Sequence, residues 1–248
     1  MIIRTFILLT IAAVNSAAIF LFGERSVSFV KGTVESIHLD INGSESINKV
    51  EKDDLIGSNY VLATGKSSRI EIKQKDKFWR VGSLSVAKWN LDNELWLHSG
   101  SALFCTTSKT EIKFLTSKCQ ATFEGSGTII IEATKNGGFK FIPLESKGTI
   151  TTVNGGTKEI VGGRMLLVLG TPSYFGDAYD IDLLLLIKSS RLLNAFPDPL
   201  PTFKKIGLAL YVQDLKLKGK YDALIGDATT DENLQIWKFG ENPTNQSN

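Results

Sequence analysis

Residues 94–100 read ELWLHSG, and their alternation of polar and apolar side chains decides the fold class. Leu95 and Leu97 share one face of an extended chain, because successive side chains of a strand point to opposite faces. Ser99-Gly100 then supplies the chemistry of a tight turn. The alternation returns in three other runs, Arg69-Ile70-Glu71-Ile72-Lys73, Glu111-Ile112-Lys113-Phe114 and Phe139-Lys140-Phe141-Ile142. The pattern predicts short strands that each bury one face.

Turn sequences separate the strand-like runs at intervals of about ten residues, a spacing typical of all-β folds. They are Asn42-Gly43-Ser44, Thr64-Gly65, Gly125-Ser126-Gly127, Asn136-Gly137-Gly138 and Asn154-Gly155-Gly156. No amphipathic sequence long enough for a substantial helix interrupts residues 27–160, which disfavours a doubly wound α/β fold. We predict an all-β fold of stacked short strands that is solenoid-like, with a β-sandwich as the alternative.

The pattern changes after Gly170, where a leucine-rich stretch, residues 180–196, predicts one C-terminal helix. Asp180 or Asp182 is suited to cap its N-terminus, since a carboxylate accepts hydrogen bonds from the first free N–H groups of a helix. Three prolines, Pro197, Pro199 and Pro201, are expected to end it. The helix therefore belongs to a region distinct from the strand-rich body.

We accordingly divide the chain into a β domain, residues 27–165, and a C-terminal part, residues 166–239, made of the helix and a small β extension. The extension is predicted from apolar, strand-like runs at residues 205–212, 215–217 and 221–225. Residues 240–248 are polar and predict a disordered tail.

The N-terminus predicts export from the cytoplasm. Arg4 precedes an apolar stretch, and Ser16-Ala17-Ala18 resembles the small-residue exit that signal peptidase cleaves, so residues 1–18 are a predicted signal peptide. The alternative is an uncleaved anchor over residues 6–22. We expect the chain in the periplasm or secreted, or anchored in the inner membrane by this segment.

Charge does not suggest a partner. Lys and Arg number 28 against 26 for Asp and Glu, a net charge of +2, so no global field draws the protein to nucleic acid or to a membrane. We expect no nucleic-acid partner, no cofactor, and membrane contact only through the N-terminal anchor.

Cys105 and Cys119 are the only cysteines. Their separation of 14 residues suits two adjacent strands, which makes them a disulfide candidate in an oxidising compartment. The alternative is that each is a small buried apolar side chain.

Four aromatic residues cluster in the middle of the strand-rich region. Phe78, Trp79, Trp89 and Trp96 fall within 19 residues and are candidate binding residues, because aromatic rings on a sheet face stack on sugars or contact proteins. The alternative is core packing.

Catalytic and metal-binding patterns are weak. His38 and His98 lie 60 residues apart, and no Gly-x-Ser-x-Gly elbow is present. The adjacent carboxylates Asp53-Asp54 and Asp231-Glu232 are typical of solvated turns, and Gly65-Lys66-Ser67 lacks the earlier glycine of a phosphate-binding loop. We expect a protein that is not an enzyme, with no catalytic residue and no metal site.

The order of short motifs in residues 29–163 resembles the FecR-like domain family of bacterial extracytoplasmic proteins. The motifs are Lys31-Gly32-Thr33-Val34, Asp53-Asp54-Leu55-Ile56-Gly57, Ala63-Thr64 with Ser68-Arg69-Ile70-Glu71-Ile72, Val81-Gly82-Ser83, and the stretch from Leu95 to Leu103. Gly127-Thr128, Ile142 to Gly148 and Gly162-Gly163 continue the order.

This resemblance implies an all-β module outside the cytoplasm, in some members part of a transmembrane sensor that reports siderophore uptake to a sigma factor. Because five residues precede the apolar segment, we expect the sigma-regulating region of those sensors to be absent. We expect a non-catalytic binding or scaffold role toward a protein or a cell-envelope polysaccharide. The alternatives are a membrane-anchored FecR-type sensor and a glycan-active hydrolase.

Overall fold

The computed structural model describes residues 24–39, 45–58, 60–217, 222–225 and 235–238. Strands make up 56% and helices 12% of it, so the all-β prediction is confirmed. The predicted signal peptide or anchor and the predicted tail lie outside the described residues.

Fifteen strands form one open sheet that is antiparallel apart from the parallel pair β8 and β9. The strands are β1 Ser26–Lys31, β2 Val34–Leu39, β3 Glu45–Lys49, β4 Val61–Thr64, β5 Arg69–Gln74, β6 Lys77–Val81, β7 Val86–Leu91, β8 Glu94–Ser99, β9 Ser101–Leu115, β10 Gln120–Ala133, β11 Phe139–Pro143, β12 Lys147–Thr152, β13 Gly156–Glu159, β14 Arg164–Leu169 and β15 Tyr174–Asp180. Helices α1 Leu183–Ser189, α2 Arg191–Asn194 and α3 Phe203–Leu217 follow, and then a two-stranded sheet of β16 Asp222–Ile225 and β17 Gln235–Lys238.

The long hairpin β9–β10 organises the sheet, because each of its strands has different neighbours along its length. The first half of β9 pairs with β6 and the last residues with β8. The first half of β10 pairs with β12 and the second half with β11, and the register shifts between Gly125 and Gly127. A bulge of this kind bends a strand. The sheet therefore consists of two layers that share the hairpin.

We call the layer of β1, β5, β6, β11, β14 and β15 the first layer, and that of β2, β3, β4, β7, β8, β12 and β13 the second layer. Aromatic rings from both pack between them. Trp79 of β6 lies edge-on to Trp89 of β7, with ring centroids 5.7 Å apart, and the Phe123 ring lies 6.1 Å from that of Phe141. Two layers packed face to face correspond to the sandwich alternative.

The helices cover the outer face of the first layer. Leu183 and Leu186 of α1, Leu192 of α2 and Ile206 of α3 are buried in one cluster with Leu103, Cys105, Ile130, Ile142 and Met165 of the strands. The central part of the first layer is consequently buried on both faces, and all five residues of β11 are buried, whereas β1 and β15 are mostly half-buried.

Two parts of the predicted C-terminal organisation are wrong, and one is confirmed. The single helix over 180–196 is two short helices, although Asp182 does cap α1, its Oδ1 accepting from the N–H of Leu185 at 2.9 Å. Residues 205–212 and 215–217 lie in helix α3. The strand predicted over 221–225 is present at 222–225.

The apolar run in α3 permitted either structure, because a short apolar run does not distinguish a strand from a helix. Tertiary burial decides it: Ile206 and Gln213, seven residues apart and thus on one helix face, are buried against the body of the protein. The domain boundary at residue 165 also shifts, since β14 and β15 continue the first layer to residue 180.

Within the part of the chain that the structure describes, no helix has the length and apolar character needed to span a bilayer.

Candidate functional site

A small notch opens where the β4–β5 turn, the β6–β7 turn and helix α2 meet. Its volume is ≈ 20 Å³, about the space of one water molecule. The side chains around it are those of Ser67, Ser68, Arg69, Ser83, Arg191 and Leu192. Two guanidinium groups and three hydroxyl groups therefore surround a space of atomic size.

Backbone geometry holds the two turns together. Ser67 has a φ of 59°, in the left-handed region, and its N–H donates to Ser83 Oγ at 2.8 Å. Ser83 Oγ in turn donates to the carbonyl of Gly65 at 3.2 Å. The hydroxyl of Ser67, which is exposed, makes no hydrogen bond to another described residue. It is the hydroxyl left available for a ligand.

Gly82 brings helix α2 close to the turns. A Cβ atom at this position would lie 2.6 Å from Ser101 Oγ, which is too close, and 3.5 Å from Leu192 Cδ2, which is ordinary contact, so a side chain would push against the start of β9. The Gly82 N–H donates to the Ser101 carbonyl at 2.9 Å, which fixes the turn against the start of β9. The notch thus depends on a glycine for its shape.

The notch is positively charged. Arg69 Nε donates to the Ala195 carbonyl at 2.6 Å, and this bond leaves both of its Nη groups without a hydrogen bond to a described residue. Arg191 is exposed, and its side chain makes no ion pair within the described residues. Exposed Lys31 lies directly across from Arg69 on β1. None of the described residues that line the notch is Asp or Glu.

These features suit an anionic group. The planar guanidinium matches the geometry of a carboxylate or a phosphate, and the Ser67 hydroxyl completes the donor set. Because the space holds about one water-sized atom, one oxygen of such a group would enter while the rest of the ligand stays on the surface.

No family model, curated protein or solved structure matches this chain.

A second polar cluster lies beneath the start of α3. Thr128 Oγ1 donates to Glu145 Oε1 at 3.1 Å and lies 2.5 Å from Thr202 Oγ1. Cys105 Sγ is 3.4 Å from the same Thr202 hydroxyl. Burial raises the pKa of the Cys105 thiol, which keeps it protonated and therefore a weak nucleophile. The cluster anchors the N-terminus of α3 through Thr202.

Burial also raises the pKa of the Glu145 carboxyl above its ordinary value of 4.5. The folded state thus disfavours ionisation of Glu145. The free energy of unfolding therefore decreases as pH rises from about 4.5 through the pKa of Glu145 in the folded state.

Glu145→Gln should remove this decrease, because glutamine does not ionise. The free energy of unfolding, measured in urea across this pH range, should fall with pH in the wild type relative to the variant. Glu159→Gln, at an exposed position, is the control, and an E145Q curve parallel to the wild type would contradict the prediction.

The prediction that four clustered aromatic residues bind a partner is wrong for two of them. Trp79 and Trp89 are fully buried between the layers, where no partner can reach them. Phe78 is half-buried beneath the helices, and Trp96 is half-buried beside His98, with ring centroids 5.2 Å apart. Period two indicates which residues share a face but not whether a second layer covers that face.

The disulfide prediction is also not met. Cys105 and Cys119 are both buried and free. Cys105 pairs across the hairpin with Thr128, nine positions along β10 from Cys119, whereas a bridge needs Cα atoms within about 7 Å. Cys119 Sγ instead donates to the Gly170 carbonyl at 3.2 Å. The spacing suited a short hairpin, but the actual strands are 15 and 14 residues long.

The other candidate chemical residues remain dispersed. The His38 ring stacks on Tyr60 at 4.6 Å, and Asp53 and Asp54 lie on an exposed turn, where Asp54 Oδ2 accepts from the Glu51 N–H at 2.7 Å. Asp231 and Glu232 lie outside the described residues. No group of three metal-ligating side chains occurs among the residues that the structure describes.

Sequence reasoning missed the notch. It assigned Gly65-Lys66-Ser67 to a turn, which is correct, and it placed Arg191 within a helix. The available signal was the pair of serine-bearing turns, 65–68 and 82–85. Only the tertiary fold brings residue 191 to them.

Proposed function

We propose that this chain is a non-catalytic, FecR-like binding module that works outside the cytoplasm as a scaffold for an acidic cell-envelope polysaccharide. The observation that carries the proposal is the notch of Arg69 and Arg191 with its hydroxyl groups and without a lining carboxylate. We call it the arginine notch.

A polysaccharide suits the small size of the arginine notch. One carboxylate or phosphate oxygen would enter it, and the sugar chain would lie across the neighbouring surface, where Lys31 and Lys66 are exposed. Each such contact is weak, since an exposed ion pair contributes about 0–1 kcal/mol and a hydrogen bond to a charged group about 1.5–3 kcal/mol. A repeating anionic ligand compensates by offering many equivalent groups to the same notch.

The resemblance of motif order supports the same proposal. The motifs Ser68-Arg69-Ile70-Glu71-Ile72 and Val81-Gly82-Ser83 flank the notch, so the residues that carry the resemblance also shape the site. An extracytoplasmic location, through the signal peptide at 1–18 or the anchor at 6–22, would bring the module into contact with envelope polysaccharides.

Arg191→Gln should weaken binding to an anionic polysaccharide about tenfold, because it removes one guanidinium from the notch. A tenfold loss of affinity corresponds to about 1.4 kcal/mol of binding free energy. The measurement is titration calorimetry of the full chain with polygalacturonate and with phosphomannan, which separate carboxylate from phosphate recognition. Dextran, an uncharged polysaccharide, should not bind, and added salt should weaken binding to the two charged polymers.

Arg164→Gln is the matched control, because Arg164 is also an exposed arginine but lies on β14, outside the notch. The proposal fails if R164Q weakens binding as much as R191Q, or if R191Q binds as tightly as the wild type. New reducing ends in the incubated polysaccharide would instead indicate a glycan hydrolase.

A further inference from the structure

Helix α3 has one face fixed to the protein and another that is exposed. Gln213 Nε2 donates to the Ile181 carbonyl at 2.6 Å, and its Oε1 accepts from the Leu183 N–H at 3.0 Å. Ile206, on the same face, is buried. These contacts fix the rotation of α3 about its axis, and they therefore determine which of its side chains face away from the protein.

The opposite face is apolar. Leu208, Tyr211 and Val212 follow the i, i+3, i+4 spacing of one helix face and are 64%, 61% and 38% exposed. Phe203, at the first residue of α3, is 56% exposed. A single exposed leucine is ordinary, but several large apolar side chains on one face of a helix mark an interaction surface.

The charge of this segment is unlike that of the rest of the chain. Residues 203–217, the range of α3, contain three lysines and one aspartate, a net charge of +2, which equals that of the whole chain, so the remainder is neutral. Lys204 and Lys205 lie at the start of α3 and are exposed. A basic helix with an exposed apolar face is typical of segments that lie on a membrane surface.

We propose that α3 lies on the surface of an anionic lipid bilayer, with Leu208, Tyr211 and Val212 at the boundary of the acyl chains. Lys204 and Lys205 would contact the anionic headgroups. Lipid headgroups accept an apolar face and ammonium groups side by side, whereas lysine is depleted from interfaces between proteins. This contact is separate from the predicted N-terminal anchor and from the arginine notch.

The first test places an environment-sensitive dye on the helix face in the full chain. Leu208→Cys supplies the labelling position, and both native cysteines are buried. The protein is reconstituted with vesicles of phosphatidylcholine alone or with phosphatidylglycerol added, some of them containing nitroxide-labelled lipid. We expect the dye at position 208 to be quenched by nitroxide lipid, and more strongly when phosphatidylglycerol is present. Leu91→Cys, at a 57% exposed position on β7, is the control and should not be quenched.

The second test separates the charge from the apolar face by co-sedimentation of the full chain with phosphatidylglycerol vesicles. The K204Q/K205Q variant should bind about 30-fold more weakly, because each lysine near an anionic surface contributes about 1 kcal/mol. L208S should weaken binding about tenfold or more through lost apolar burial. The controls are K52Q/K147Q and L91S, at exposed positions outside α3, and they should bind as the wild type does.

Several outcomes would overturn the proposal. An unquenched dye at position 208, or equal quenching with and without phosphatidylglycerol, removes the anionic surface as the occupant. Energy transfer between labelled chains with a doubled mass in ultracentrifugation would assign the face to a second copy. A cysteine at 208 that resists thiol reagents in vesicle-free solution would mean that another part of this chain covers it. The α3 variants should leave polygalacturonate binding unchanged, so failure here is distinguishable from failure of the arginine notch.

Discussion

Arg80→Gln is expected to lower the free energy of unfolding by about 3–5 kcal/mol, the cost of breaking a buried ion pair. The Arg80 side chain is 1% exposed and that of Glu71 is 3% exposed, and Arg80 Nε donates to Glu71 Oε2 at 2.8 Å. Without the guanidinium, the Glu71 carboxylate keeps its burial and retains the Ser28 hydroxyl, which donates to its Oε1 at 2.7 Å. The ammonium group of Lys73 lies 3.8 Å from the same oxygen, but it is 39% exposed and compensates the buried charge less than Arg80 does.

Arg80 also fastens the helical cover to the first layer. Its Nη1 donates to the Leu192 carbonyl at 3.0 Å and its Nη2 to the Asp198 carbonyl at 2.6 Å. The guanidinium carbon lies 4.2 Å from the centroid of the Phe196 ring. R80Q should therefore loosen residues 192–198 before the sheet unfolds. Amide hydrogen exchange in R80Q, relative to the wild type, should accelerate more in this segment than in β9 and β10.

Urea denaturation measures the total effect, with R164Q as the control. Arg164 is half exposed and its ion pair with Asp180 spans 4.0 Å, so its loss should cost less than about 1 kcal/mol. The double variant R80M/E71L should lose much less than R80Q, since an apolar pair carries no unpaired charge. A double variant as unstable as R80Q would show that packing, and not the uncompensated charge, is responsible.

Gly148→Ala is expected to destabilise the protein by about 2–5 kcal/mol or to prevent folding. Gly148 has a φ of +134°, and a Cβ atom there would lie 2.1 Å from the Glu124 carbonyl oxygen and 2.7 Å from Gly125 Cα. Gly148 pairs directly with Gly125, so both strands must move apart to admit a methyl group. Crowding in a packed interior costs about 1–3 kcal/mol, and the strained backbone adds about 1–2 kcal/mol.

Gly207→Ala provides the opposite case within the same chain. No atom lies within 4 Å of a Cβ placed on Gly207, and the residue is inside α3, where alanine is favoured over glycine by about 0.5–1 kcal/mol. G207A should thus raise the midpoint of thermal unfolding, while G148A lowers it or yields insoluble protein. If G148A were nearly as stable as the wild type, the backbones of β10 and β12 would not approach each other as closely as the structure shows.

Local patterns in the sequence were sufficient for the strands and for one helix cap. Runs such as Glu94 to Ser99 bury alternate side chains, and this needs no knowledge of distant residues. The one-sided burial predicted for Arg69 to Lys73 and for Phe139 to Ile142 is wrong, because both faces of these strands are covered. Asp182 was one of two cap candidates, with Asp180, because a cap acts on N–H groups within the next three residues. The run at 205–212 was misassigned because a short apolar run fits a strand as well as a helix. The helix is fixed by hydrogen bonds between Gln213 and the backbone of Ile181 and Leu183.

The candidate sites depended on contacts between distant segments. The arginine notch joins turns near residues 67 and 83 to Arg191, more than 100 residues later in the chain. The aromatic cluster was visible in the sequence, but the burial of Trp79 and Trp89 depends on the second layer packing over the first. The cysteine spacing was visible too, but the length of the hairpin separates the two thiols.

The sequence by itself thus determined that this chain is mostly strands, where many of them turn, and that a helix follows Asp182. The tertiary structure alone decided which faces are covered, that β9 and β10 bend through two layers, and where Arg191 and the exposed face of α3 lie. The reason is physical: alternation and turn chemistry act over a few residues, whereas burial is shared by segments that only folding brings into contact.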